Sequence, residues 1–319
     1  MRSYNILHGM IFSHNNKTNN MKHIEVNSSH AGPHMIAYSD YGTGDPVVLI
    51  HGWPMTQDMW EYQIEPLVNA GNRVILYDRR GFGNSSRPWT GYDYDTLAAD
   101  LKALLDKLDL TNVTLVGFSM GGGEVARYLG KYGSERISKA VLVSSVVPYL
   151  SKDTNNEDGV PKEVFTEMLD HLSNDRIGFL EGFGKHFFGV DMLHHPMSSA
   201  LMTYYLNLSS TAFAQATKEC VKSFAFTDFR KDLPAINVPT LIIHGNADKI
   251  VPIEVSSDKA SKQIANNQYI VYEGAPHGLF YTHKEKLNTH LISFIATGKA
   301  TVEEIPLLSA SEVGTIPMM

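Results

Sequence analysis

VTLVGFSMGGGEVARYLG, residues 113–130, is the stretch on which the fold turns. Its first half is a short, almost continuously apolar and β-branched run, the pattern of a strand buried on both faces. A helical pattern begins directly after Ser119. Between them, Gly117-Phe118-Ser119-Met120-Gly121 forms a G-x-S-x-G, a tight strand-to-helix turn that holds a serine hydroxyl exposed above a sheet. The glycines stand where neighbouring backbone must pass close to a strained residue. The helix dipole favours negative charge that develops near its start. With Gly and Ser each near ~7% of residues, the five letters alone arise by chance in roughly one chain of this length in ten. The placement between a buried strand and a helix is therefore what carries the inference.

Outward from this turn the same kind of run recurs: VVLIH from Val47, RVILYD from Arg73, AVLVSS from Ala140, TLIIHG from Thr240 and QYIVYE from Gln268. Helical patterns separate several of them. In TLAADLKALLDKLD, Leu97, Leu101, Leu104, Leu105 and Leu108 share one face, and Leu287, Leu291 and Phe294 do the same near the end. Alternating strands and helices imply right-handed crossovers and a mostly parallel, doubly wound α/β sheet, led by an antiparallel hairpin over about 23–44. From Pro148 to about Asp232 no strand is legible. Nine of the 14 phenylalanines fall there, which marks a helical, aromatic insertion placed to cover the carboxyl edge of the sheet, where ligands bind in such folds. The expected division is a disordered extension over 1–21, a core over 22–147 and 231–298, a helical cap over 148–230 and a tail over 299–319.

The bulk composition narrows the function. Hydrophobic residues at 43% and charged residues at 19% describe a soluble globular chain. A net charge of −7 without a basic run argues against a nucleic-acid partner. No apolar stretch approaches the roughly 20 residues that cross a bilayer, so no membrane association is expected. The single cysteine, Cys220, cannot pair internally, and its count fits a reducing compartment. A cytoplasmic location is expected. The N-terminal histidines lack metal-ligand spacing, so no metal site is expected. DRRGFGNSS, from Asp78, lacks the lysine and spacing of a phosphate loop and reads as a scaffold turn.

A serine hydroxyl needs a base to take its proton, and the base needs an orienting partner. In this architecture the chain order is Ser, acid, His. TLIIHGNAD presents Asp248 at a strand end and YEGAPHG presents His277 after the next strand, on the same edge as Ser119. His244 reads as packed inside its strand, and His283, His290 and the His194–His195 pair as solvated. Ser119, His277 and Asp248 are thus the expected nucleophile, general base and orienter. Preorganised N–H groups must meet the oxyanion that forms. One is that of Met120. The other belongs to the HGWP turn after the early core strand, where Trp53 is the candidate because Pro54 has no N–H. Pro54 also constrains the residue before it, and so the direction of the Trp53 carbonyl, which could accept a hydrogen bond from an attacking peroxide. Phe118, Ile250, Val251 and Leu279 flank the three residues in sequence and, with Pro54, are the expected pocket wall.

HGWPM, YDRRGFGNSSRPWTGYDYDTLAADL, GFSMGGGEVARYLG, HGNADKIVPIE and GAPHGLF together resemble the α/β-hydrolase family, and within it the cofactor-free bacterial non-haem haloperoxidases, perhydrolases and aryl esterases. The resemblance spans roughly residues 22–297. It implies an acyl-enzyme on Ser119, an oxyanion hole from Trp53 and Met120, no cofactor or metal, and a small ester or short carboxylic acid as substrate. It also implies that hydrogen peroxide can replace water, and that copies of the chain associate as a homo-oligomer. A hydroxynitrile lyase, or a ligand receptor on the same scaffold, would keep the same three residues, and activity separates these readings.

Overall fold

In the computed structural model, residues 21–28 and 32–301 are described. Most of the expected N-terminal extension and all but the first residues of the expected tail lie outside them. The strands are β1 (Lys22–Ser28), β2 (Gly32–Tyr41), β3 (Pro46–Ile50), β4 (Arg73–Tyr77), β5 (Val113–Phe118), β6 (Ile137–Val143), β7 (Thr240–Gly245) and β8 (Asn267–Tyr272). They form one sheet in the order β1-β2-β4-β3-β5-β6-β7-β8. The β1–β2 and β2–β4 pairings are antiparallel and all the others parallel. The leading hairpin and the doubly wound sheet are as the sequence implies.

The helices are α1 (Glu61–Asn69), α2 (Tyr94–Lys107), α3 (Met120–Tyr132), α4 (Lys162–Asn174), α5 (Arg176–Phe188), α6 (Ser199–Ser210), α7 (Ala214–Phe226), α8 (Ser257–Ala260), α9 (Leu279–Thr282) and α10 (Lys284–Thr297). Side chains alternate across a strand, and β5 shows it. Leu115 joins the apolar layer that contains Leu97, Leu101 and Leu104 of α2 and Val125 of α3. Val116 and Phe118 join the opposite layer with Leu67 of α1 and Leu287, Leu291 and Phe294 of α10. Helix α2 begins where the Asp93 carboxylate accepts from the Thr96 N–H at 2.9 Å, an N-cap that satisfies one of the unpaired first-turn donors. Between β6 and β7 the chain makes helices α4 to α7 and two isolated β-bridges, Ser151–Val160 and Asp153–Asn156.

The DRRGFGNSS turn is scaffold in every charged member. Asp78 accepts from the backbone N–H groups of Gln57 and Asn84 at 2.9 and 2.8 Å. Arg80 forks onto Asp100 at 2.7 and 2.6 Å. Arg79 forms a fully buried ion pair with Glu124 of α3, whose other oxygen accepts the Tyr77 hydroxyl at 2.6 Å. Among the rivals set aside on sequence, His290 is not solvated. It is buried at 3% exposure, and the Tyr272 hydroxyl lies 2.7 Å from its Nδ1.

Breaking one side of a buried ion pair leaves the other charge unpaired, at a cost of about 3–5 kcal/mol, whereas replacing both with apolar groups is often near neutral. Arg79→Met alone is therefore expected to destabilise the protein strongly in urea unfolding, and Arg79→Met/Glu124→Leu to recover much of that loss.

Candidate active site

The serine turn is built by close backbone approach. Ser119 has φ 53° and ψ −116°, a conformation that non-glycine residues adopt only when their surroundings hold them. Its N–H donates to the Val143 carbonyl at 2.8 Å, and its carbonyl accepts from Gly122 at 3.0 Å. A methyl group on Gly117 would strike the Gly121 carbonyl, and one on Gly121 would strike that of Ile50. Strand β5, helix α3 and the end of β3 thus meet with no room for side chains. This is why the hydroxyl stands free above the sheet edge.

Two other strand ends complete the constellation. Asp248 follows β7 and His277 follows β8. His277 Nε2 lies 3.0 Å from Ser119 Oγ, and His277 Nδ1 lies 2.6 Å from Asp248 Oδ2. All three residues are buried. Since Nδ1 faces a carboxylate, it carries the proton, and Nε2 is left free to accept from the serine. The His277 ring is wedged between Phe118 and Phe187, with ring centres 4.9 and 4.8 Å away, so its orientation is fixed by packing as well as by hydrogen bonding.

Asp248 has a second imidazole on it. His244 Nε2 lies 3.1 Å from Oδ2 and 2.9 Å from the Val251 carbonyl, while its Nδ1 lies 2.7 Å from Ser257 Oγ. Two acceptors face Nε2, so the proton on that nitrogen is directed at Asp248 and the Val251 carbonyl. The other carboxylate oxygen, Oδ1, accepts from the Ile250 and Val251 N–H groups at 2.9 and 2.8 Å. Burial by itself would raise the Asp248 carboxyl. The facing His277, together with hydrogen bonds from both histidines, outweighs it and holds the group well below the ordinary carboxylate range. His244 is the contributor that sequence reasoning set aside as core. The only signal available was its spacing of four residues from Asp248.

The HGWP turn is tied from three sides. Arg79 donates to the His51 carbonyl at 2.6 Å, and the Arg79 N–H donates to His51 Nε2 at 2.9 Å. His51 Nδ1 then donates to the Gly52 carbonyl at 2.9 Å. Burial, reinforced by Arg79, pushes the His51 imidazole well below its ordinary value and keeps it neutral. The Trp53 indole donates to the Thr217 carbonyl of α7 at 3.0 Å, and the Trp53–Pro54 peptide is cis.

A cavity of about 270 Å³ opens over Ser119, lined among others by Trp53, Val146, Phe165, Phe183, Ile250 and Val251. Ile250 and Val251 line this cavity. Three expected wall residues are elsewhere. Phe118 points to the opposite side of β5 from Leu115 and packs under His277 against Trp60 and Phe280. Leu279 turns into the same layer and is fully buried. Pro54 lines a different cavity. The aromatic wall comes instead from the insertion, through Phe165, Phe179, Phe183 and Phe224. Burial pushes the Cys220 thiol up to about 12, so it is no rival nucleophile. Among the described residues, no group of three or more His, Cys, Asp or Glu side chains is placed to hold a metal ion, and no helix is long and apolar enough to cross a membrane.

A sheet of this order with a strand-end serine, histidine and aspartate defines the class. A family model for the alpha/beta hydrolase fold matches residues 45–284, and the chain belongs to that family. Its relatives place it more narrowly. A non-heme chloroperoxidase of Kitasatospora aureofaciens is 41% identical, over 82% of this chain and 95% of its own. A bifunctional esterase/perhydrolase of Acinetobacter calcoaceticus is 37% identical over 82% and 95%. The crystal structure of a bromoperoxidase from Bacillus anthracis superposes with a TM-score of 0.82 at 46% identity, covering 86% of this chain and 100% of that one. The resemblance drawn from the sequence motifs is borne out.

The pH dependence of stability follows from the depressed Asp248 titration. Such a group contributes fully above the ordinary carboxylate value near ~4, and the contribution is lost as pH falls through the folded-state value. The stability difference between pH 6 and pH 3, read from urea unfolding, is therefore expected to be smaller in Asp248→Asn than in the wild type.

Proposed function

We propose that this protein is a serine hydrolase of small carboxylic esters, acting through an acyl-enzyme on Ser119, with peracid formation as a second outcome of the same intermediate. The observation that carries the reading is the continuous line from Ser119 Oγ through His277 to Asp248, with separations of 3.0 and 2.6 Å. The relatives named as haloperoxidases and as an esterase/perhydrolase support the reaction class.

The ester enters beneath the helical cap with its carbonyl oxygen at the N–H groups of Met120 and Trp53. The Met120 N–H is the first of a helix and has no acceptor within it. Ser119 Oγ attacks the carbonyl carbon as its proton passes to His277 Nε2. The oxyanion is met by the two N–H donors, which is usually the largest catalytic contribution in acyl transfer. Asp248, already saturated with hydrogen bonds, holds the imidazole and steadies its cationic form without taking the proton. His277 returns the proton to the departing alkoxide. Water then attacks the acyl carbon, again giving a proton to His277, and the carboxylic acid leaves as Ser119 is restored.

Hydrogen peroxide in place of water releases a peracid, which oxidises halide in solution away from the protein. In this branch the Trp53 carbonyl, whose backbone is constrained by the proline that follows it, is the proposed acceptor for the extra O–H of peroxide.

Hydrolysis of p-nitrophenyl acetate tests the reading. Turnover by the wild type is expected to persist in chelator and to fall by at least about 10³-fold in Ser119→Ala. A wild type inactive on the ester would overturn it. For the peroxide branch, Pro54→Leu is expected to lower the ratio of perhydrolysis to hydrolysis, and an unchanged ratio would sink the role given to the Trp53 carbonyl.

A further inference from the structure

Behind the catalytic pocket lies a larger space. It has a volume of about 410 Å³ and is walled chiefly by α5 and α6, with Pro54 and Met55 at one side. Phe183 belongs to the linings of both cavities, and at the HGWP turn Trp53 faces the smaller one while its neighbour Pro54 faces the larger. The Phe183 ring stands edge-on to Trp53 at 5.2 Å and lies 5.8 Å from both Phe179 and Phe187. One phenyl ring is thus a shared wall between the space over Ser119 and the space behind it.

Protein interiors are packed to crystal-like density with few voids larger than a water, whereas ligand sites run to ~300–1,000 Å³ and are mostly apolar. The second cavity is of the latter size. Leu180, Phe187, Phe188, Met202 and Leu206 supply its apolar wall. Of its polar members, the buried Tyr205 hydroxyl has no hydrogen-bond partner among the described residues. Lys185 pairs with Glu181 at 3.1 Å out at the exposed rim, and Ser209 Oγ donates to the Tyr205 carbonyl at 2.8 Å. The guest that this predominantly apolar wall fits is an uncharged, mainly hydrocarbon chain, with the Tyr205 hydroxyl left to meet at most one polar group on it.

We propose that this cavity is an alkyl-chain subsite, and that Phe183 is the specificity-determining residue that closes it off from an acyl carbon held at Ser119. The substrate class this implies rests on the hydrolase reading above. With the ring in place, the acyl group is limited to the smaller pocket. With the ring trimmed, the two spaces join, and a medium-length chain reaches past Trp53 into the larger one.

Calorimetric titration with decanoate tests the subsite without requiring turnover. Phe183→Ala is expected to bind decanoate about tenfold or more tightly than the wild type, the scale on which pocket methylenes discriminate. Phe183→Leu, which keeps an apolar side chain and tests the idea should the alanine variant fold poorly, is expected to show a smaller gain. Leu206→Trp placed in the Phe183→Ala background refills the far cavity and is expected to abolish the gain. In the same variants the ratio of p-nitrophenyl octanoate to p-nitrophenyl acetate hydrolysis is expected to follow the same order. Equal decanoate affinity in the wild type and both single variants would overturn the subsite, and so would a gain that survives Leu206→Trp. Tighter decanoate binding in a protein that cleaves no ester would uphold the subsite and count against the hydrolase reading instead.

Discussion

A serine at φ 53° between a strand and a helix persists only where the backbone on both sides is allowed to touch. Helix α3 must start at once, strand β3 must end within contact of Gly121, and the β6 edge must accept from the Ser119 N–H. These demands place β5 in the middle of the sheet, with β3 and β6 as its parallel neighbours. Once that is so, the carboxyl ends of β7 and β8 deliver Asp248 and His277 to the same edge. The site is therefore the outcome of one crowded turn and the parallel register around it.

The aspartate shows how a buried charge is made tolerable. Four N–H groups converge on two oxygens, two from the backbone after β7 and one from each of two histidines. An ionised carboxylate in a fully buried place without such donors would take up a proton instead. His244 supplies one of these donors, and its other nitrogen is held by the Ser257 hydroxyl at 2.7 Å. Asp248 is thereby kept as an anion whose remaining strong interaction is with the imidazole that touches Ser119.

Much of this was legible in the residues, because strands buried on both faces and a serine flanked by glycines carry strong local constraints. The strand ends that present Asp248 and His277 were legible for the same reason. What was not legible depends on direction. Phe118 and Leu279 adjoin Ser119 and His277 in sequence, yet alternation along β5 and the start of α9 turn both into the core. Pro54 faces away from the pocket that its neighbour Trp53 lines. His244 reads as any core histidine until the fold brings the chain back over it. The aromatic wall comes from α4, α5 and α7, whose phenylalanines repeat at helical spacing whether they face a core or a ligand.

The buried pair between Arg79 and Glu124 has a consequence for precision. Glu124 rides on the helix that begins at the nucleophile, and Arg79 grips the His51 carbonyl just ahead of Trp53. The serine helix and the HGWP turn are thus bolted to one strut, although Ser119 and Trp53 lie 66 positions apart in the chain. A densely packed interior transmits displacement rather than absorbing it, so a substitution at either member of this pair reaches the helix that follows Ser119 and the turn that carries Trp53 at once.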